Sequence, residues 1–101
     1  MSQPVFLMVE ATPNPKEITA MQGYLTKAPL LTKQHGGVPV ATYDVAGVYD
    51  NNDKPAVFAV ISFPSKEAID NLFTDPAYEA LVPERDRGFS HLRYYIVNER
   101  I

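Results

Sequence analysis

Cysteine is absent from the chain, which excludes disulfides, thiolate-bound metals and a cysteine nucleophile. Any chemistry must therefore use oxygen and imidazole groups, and only two of the 101 residues are histidine. Positive charge is also short: nine Lys and Arg against twelve Asp and Glu leave a net charge of −3. That balance opposes the phosphate-neutralising surface that nucleic-acid binding needs, and it makes an anionic membrane a poor partner. No apolar run approaches the roughly 20 residues of a membrane helix. Met1-Ser2-Gln3-Pro4 is not a basic region followed by an apolar stretch, so a cytoplasmic location is the expectation. Gly-rich phosphate loops, nucleophile elbows and dinucleotide fingerprints are missing, and no cofactor is expected. Repeats, low-complexity tracts and Gly/Ser linkers are missing too.

What is there suits one domain over residues 1–101, with 46% hydrophobic and 21% charged residues in the normal globular range. A chain of this size buries roughly 60 to 70% of its unfolded surface, an adequate core that dimerisation would reinforce. Residues 5–10 read as a first strand, a short apolar block ending at polar and proline residues. Asn14-Pro15-Lys16-Glu17 is expected to open a helix, with Asn14 as cap and Pro15 at the first helical position. Ile18, Met21, Leu25 and Ala28 form its apolar stripe, and Pro29 is expected to kink or end this stretch, with Leu30 to Gln34 adding another turn before Gly36-Gly37 stops it.

Residues 38–49 read as a long second strand and Asp50-Asn51-Asn52-Asp53 as a polar turn. The third strand covers residues 56–63. Ser65 caps the next helix, whose buried stripe is Ala68, Ile69, Leu72 and Phe73. Asp75-Pro76 restarts it, and Pro83 is expected to bend or end it before the charged stretch Glu84-Arg85-Asp86-Arg87 and Gly88. Residues 90–98 are the last strand, with Leu92, Tyr94 and Ile96 on one face and His91, Arg93, Tyr95 and Val97 on the other. The second strand splits likewise, Thr42 and Asp44 against Ala41, Tyr43 and Val45.

The order β-α-β-β-α-β gives an α+β, ferredoxin-like antiparallel sheet with both helices on one side. The run Ala56-Val57-Phe58-Ala59-Val60-Ile61 is apolar on both of its faces, whereas a strand wet on one side would alternate. The helices cover one face, so a second copy of the sheet is the expected cover for the other.

From Phe63 onward the motifs Phe63-Pro64-Ser65-Lys66-Glu67-Ala68 and Asp75-Pro76-Ala77-Tyr78-Glu79-Ala80-Leu81 are followed by Arg85 and an apolar closing strand. With the His35-Gly36-Gly37 turn, this resembles the domain-of-unknown-function family 1330, within the dimeric α/β-barrel superfamily. The resemblance implies a homodimer with two sheets face to face and a cavity beside each sheet. Relatives in the superfamily include cofactor-independent monooxygenases, haem-associated enzymes, lyases, isomerases and ligand-sensing domains, so the fold alone does not choose a function. Two positions depart from the family pattern. It often has an arginine in strand two where Thr42 stands, and an acid before Phe-Pro-Ser where Ser62 stands, which alters the contacts those groups make.

His91, Arg93 and Tyr95 share the strand face turned away from the helices and are the candidate catalytic residues. A histidine moves protons near neutral pH, an arginine holds a carboxylate or enolate, and a tyrosine orients a carbonyl. Asp44 and Glu10 are expected to join them, and Thr42 and Arg85 complete the candidate ligand contacts. The structural alternatives are that His91 and Arg93 pair with acids at an interface, and that Arg85-Asp86-Arg87 is a solvated face. His35 is expected to meet the last carbonyls of its helix, and Tyr24, Tyr43, Tyr49, Tyr78 and Tyr94 to be core or interface aromatics. His35, His91 and Glu10 or Asp44 match a two-histidine, one-carboxylate set in composition only, so no metal site is expected. The function expected is binding of a small acidic or aromatic molecule, with cofactor-independent monooxygenase- or isomerase-like activity. The alternative is a non-catalytic dimeric binding or regulatory module, favoured by an interior filled with Phe6, Met8, Phe58 and Val60.

Overall fold

The computed structural model describes residues 4–50 and 53–100. The strands are β1 (Val5–Pro13), β2 (Val38–Asp44), β3 (Val57–Phe63) and β4 (Phe89–Val97). The helices are α1 (Ile18–Gln34), α2 (Lys66–Thr74), α3 (Pro76–Glu79) and α4 (Val82–Gly88). The strands form one sheet in the order β2-β3-β1-β4, and every neighbouring pair is antiparallel. This is the ferredoxin-like α+β fold. Among the described residues, no helix is long and apolar enough to cross a membrane.

Register fixes the two faces. Leu7 pairs with Ile61 and Ile96, and Val9 with Ala59 and Tyr94. Leu7 and Phe63 join Tyr24, Ile69, Leu72, Tyr78 and Leu81 in the buried core between sheet and helices. The alternate residues Phe6, Met8 and Glu10, with their partners Val60 and Phe58, occupy the opposite, open face.

Several expectations are corrected. Asn14 does not cap α1: its Oδ1 accepts from Lys16 N–H at 3.1 Å and its Nδ2 donates to the Arg87 carbonyl at 3.2 Å. This local turn ties the chain to the α4–β4 junction and postpones the helix to Ile18. Pro29 does not end α1, which runs through it to Gln34. Buried Tyr24 and Ala28 before it and Leu31 after it pack on the same core, so the helix continues across it despite the missing N–H. The buried stripe of α1 is Ala20, Tyr24 and Ala28, while Leu25 is 49% exposed. Pro83 opens α4 instead of ending a helix, because a missing N–H costs nothing in a first turn. β2 stops at Asp44, five residues earlier than expected, and Tyr49 is fully exposed. The polar turn read at residues 50–53 includes residues 51 and 52, which lie outside the described residues.

Two glycines are required. Gly36 leaves α1 at φ 85°, a conformation that costs other residues a Cβ clash. At Gly88 a Cβ would lie 2.7 Å from both the Met21 N and Cα, so α4 reaches α1 backbone to backbone. Gly88→Ala should force these helices apart and cost about 1–3 kcal/mol. Calorimetry should show Tm lowered by at least about 4 °C; an unchanged Tm would refute the close approach.

Ser65 caps α2 as expected, accepting from Ala68 N–H at 3.1 Å. Asp75 caps α3, its Oδ1 accepting from Ala77 N–H at 2.9 Å. Its Oδ2 lies 2.8 Å from His35 Nε2, so the imidazole links the end of α1 to the start of α3 and is not aimed at the α1 carbonyls. The hydrogen bond from His35, followed by that from Ala77, holds the Asp75 carboxyl below its ordinary 3.8. A carboxyl depressed in the folded state stabilises above its unfolded pKa, and that contribution is lost as pH falls through the folded value. Asp75→Asn should therefore melt below wild type at neutral pH, with the gap closing below about pH 4. Thermal melts at several pH values check this; a gap that persists at the acid end would contradict it.

Candidate functional site

The open face carries one polar cluster near the β4 edge. Register sets Arg93 beside Glu10, Tyr95 beside Met8 and His91 beside Thr12. Arg93 Nη1 donates to the Tyr95 hydroxyl at 3.2 Å, and that hydroxyl donates to the Glu10 carboxylate at 3.3 and 3.4 Å. His91 Nε2 lies 3.7 Å from Glu10 Oε1. The Tyr95 hydroxyl, and then the acid Glu10, raise the Arg93 pKa above its ordinary value, so the guanidinium stays charged. Glu10, His91 and Arg93 border a hollow of about 520 Å³ that Thr12, Asp53, Lys54, Pro55 and Ser90 complete.

Of the other candidate residues, only Glu10 joins this cluster. Asp44 pairs with Val57 and Thr42 with Ala59, and Val57 and Ala59 face the helices. Asp44 and Thr42 therefore belong to the opposite side of the sheet, on the far edge strand. A two-residue period cannot put residues of opposite parity, in register, on one face. Arg85 is on α4, also on the helix side. His35 and His91 are separated in the same way, and among the described residues no three His, Cys, Asp or Glu side chains are placed to hold a metal ion.

A larger cavity, about 740 Å³, lies between sheet and helices. Leu7, Val9 and Ala59 line it from the sheet, Met21, Leu25 and Ala28 from α1, and Leu72 and Phe73 from α2. Thr42 contributes from β2, and Lys33 is the charged residue of the lining. Three tyrosines also line it: Tyr24 from α1, Tyr78 from α3 and Tyr94 from β4. Their hydroxyls meet, Tyr24 to Tyr78 at 2.8 Å, Tyr24 to Tyr94 at 3.1 Å and Tyr78 to Tyr94 at 3.3 Å. Phe73 packs edge-on against the Tyr78 and Tyr94 rings, which fixes their orientation. Arg85 Nη1 donates to the Tyr78 hydroxyl at 3.1 Å.

Burial, reinforced at Tyr24 by both neighbouring phenols and at Tyr94 by Tyr78, pushes the Tyr24 and Tyr94 pKa values well above the ordinary range. Burial opposes the Arg85 charge, but its bond to Tyr78 and the surrounding phenols outweigh this and raise its pKa. Tyr24 and Tyr94 thus stay neutral hydrogen-bonding groups in a trio beside a permanent cation. It can orient a polar group; it is no general base near neutral pH. Sequence alone marks these tyrosines only as core or interface aromatics. The available signal was the choice of Tyr over Phe at three apolar positions, since a buried hydroxyl needs a partner.

Solved structures share this fold. A protein of unknown function from Rhodopseudomonas palustris superposes with a TM-score of 0.82 at 14% identity, over 100% of this chain and 85% of that one. A dimeric ferredoxin-like protein of unknown function from Jannaschia sp. CCS1 gives 0.72 at 9% identity, over 96% and 100%. A protein described as an antibiotic biosynthesis monooxygenase gives 0.63 at 14% identity, over 96% and 99%. At these identities the likeness concerns the fold alone. No curated protein matches the chain. The model of the family described as Domain of unknown function (DUF1330) matches residues 5–99, and the chain belongs to that family.

Proposed function

We propose that this protein binds a small organic molecule in the cavity between its sheet and its helices. The observation that carries the reading is the cavity itself: an apolar space of about 740 Å³ lined in part by three tyrosines that are joined through their hydroxyls. Ligand sites in proteins are commonly apolar clefts of roughly 300–1,000 Å³ with a few convergent polar groups. The tyrosines supply those groups, and Arg85 fixes the orientation of the Tyr78 hydroxyl.

The open face is assigned to a second copy of the chain. Phe6, Met8, Phe58 and Val60 lie there with no helix over them, and Tyr43, 56% exposed, extends the apolar area across Phe58. Contiguous exposed apolar surface on a sheet marks an interaction site. Glu10, His91, Arg93 and Tyr95 then form a polar patch at the border of that interface, each acid and base already paired within its own copy. In this reading the protein is a dimeric binding module. A monooxygenase- or isomerase-like step would need a base that the tyrosine trio does not supply, so the ligand would have to bring its own acidity.

Ala59 sits on β3 at the cavity wall, and Ala59→Phe should fill the space. A thermal-shift screen of aromatic and keto acids, alcohols and amides should find compounds that raise the Tm of wild type and leave the variant unmoved. Shifts of equal size in both proteins would place binding elsewhere and defeat the proposal.

A further inference from the structure

The tyrosine trio has a hydrogen count that restricts what can bind to it. A phenol holds one hydrogen and two acceptor positions. Three hydroxyls therefore bring three hydrogens to three mutual contacts, of 2.8, 3.1 and 3.3 Å. All three contacts are filled only if each hydroxyl donates once, around a closed ring. Arg85 Nη1 occupies the second acceptor position of Tyr78, which saturates that residue. Tyr24 and Tyr94 keep one acceptor position each and no spare hydrogen. Among the described residues, no buried side-chain nitrogen or oxygen lacks a partner, as a closed ring requires.

Resting on the cavity reading above, we propose that the site selects neutral molecules carrying a hydroxyl or N–H donor on an apolar body, and discriminates against carboxylates and acceptor-only oxygens. A donor adds to Tyr24 or Tyr94 and leaves the ring intact. An acceptor finds no hydrogen until one contact opens, the 3.3 Å edge between Tyr78 and Tyr94 being the weakest. A carboxylate also gives up its hydration in an apolar lining, which is costly without a paired cation. Arg85 does not provide that pair at the tyrosines: it is engaged by Tyr78 and lies 3.3 Å from Asp86, and Lys33, the charged residue of the lining, stands nine residues along α1 from Tyr24, about 13 Å away. The high pKa values of Tyr24 and Tyr94 keep the hydrogens on the ring across the physiological range.

Three matched probes test this by calorimetric titration of the intact protein: 4-phenylcyclohexanol, its methyl ether and 4-phenylcyclohexanecarboxylate. The alcohol should bind about 3- to 10-fold more tightly than the ether, the worth of one hydrogen bond, and more than about tenfold more tightly than the acid. In Tyr24→Phe, two hydroxyls hold two hydrogens for one remaining contact. One donor is then free, and the alcohol-to-ether ratio should fall close to unity. Tyr94→Phe frees a donor by the same arithmetic and serves if circular dichroism shows Tyr24→Phe unfolded. An ether or carboxylate that binds wild type as well as the alcohol overturns the selectivity while leaving the cavity as the site. A ratio unchanged in both variants overturns it too. No heat from any probe up to its solubility counts against the cavity reading itself, and the selectivity falls with it.

Discussion

Phe63→Ala should lower stability by about 3–5 kcal/mol, the largest loss expected from any single truncation in the chain. The side chain is 1% exposed and sits where three elements meet. It ends β3, shares the core with Leu7, Ile69 and Leu72, and closes on the turn after α1. There a Cβ on Gly37 would come within 2.9 Å of its Cζ. No small residue can collapse into that space without moving both the turn and α2, so transfer and cavity costs add in full. For a domain of this size, Tm should fall by at least about 12 °C at fixed protein concentration. Calorimetry of the variant checks this, and a drop below about 4 °C would show that the site relaxes or that Phe63 is not central.

Phe58→Asp should have a different effect of similar size. Phe58 is five residues from Phe63 in the same strand, yet odd spacing turns it to the open face, beside Glu10 and Tyr43. If two copies cover each other there, the substitution buries one unpaired carboxylate per copy, at about 3–5 kcal/mol each. The dimer dissociation constant should rise by at least a thousandfold, since roughly 1.4 kcal/mol is a factor of ten. Light scattering should then give half the wild-type mass at micromolar concentration. A wild type already monomeric and fully folded at that concentration would remove the second copy from the reading. An unchanged dimer in the variant would place the interface elsewhere.

The two phenylalanines also show how far local sequence can be read. The alternation in β1 and β4 is strong enough to separate Leu92 and Tyr94 from His91, Arg93 and Tyr95, and pairing preserves that split. It also required Asp44 and Thr42 to share a side with Leu92 and Tyr94, since register carries parity from strand to strand. The expectation that Asp44 joins His91 fails, because sequence parity in one strand gives no sign of which of its two faces the sheet turns to the helices. Proline is ambiguous in sequence for a related reason. Pro29 and Pro83 have the same local chemistry, but one lies inside a helix anchored on both sides by the core and the other in a first turn, and only packing distinguishes those places.

Composition, periodicity and cap chemistry determined the element order, the two-sided character of β3, the Ser65 cap and the exclusion of cysteine chemistry, because each is set by neighbours within a few residues. The tertiary structure alone decided that Tyr24, Tyr78 and Tyr94, separated by up to 70 positions, touch through their hydroxyls beside Arg85. It also decided that the cavity of about 740 Å³ opens on the helix side, away from His91. Hydrogen bonds between side chains on three different elements depend on how those elements pack, and no short-range pattern in the chain encodes that distance.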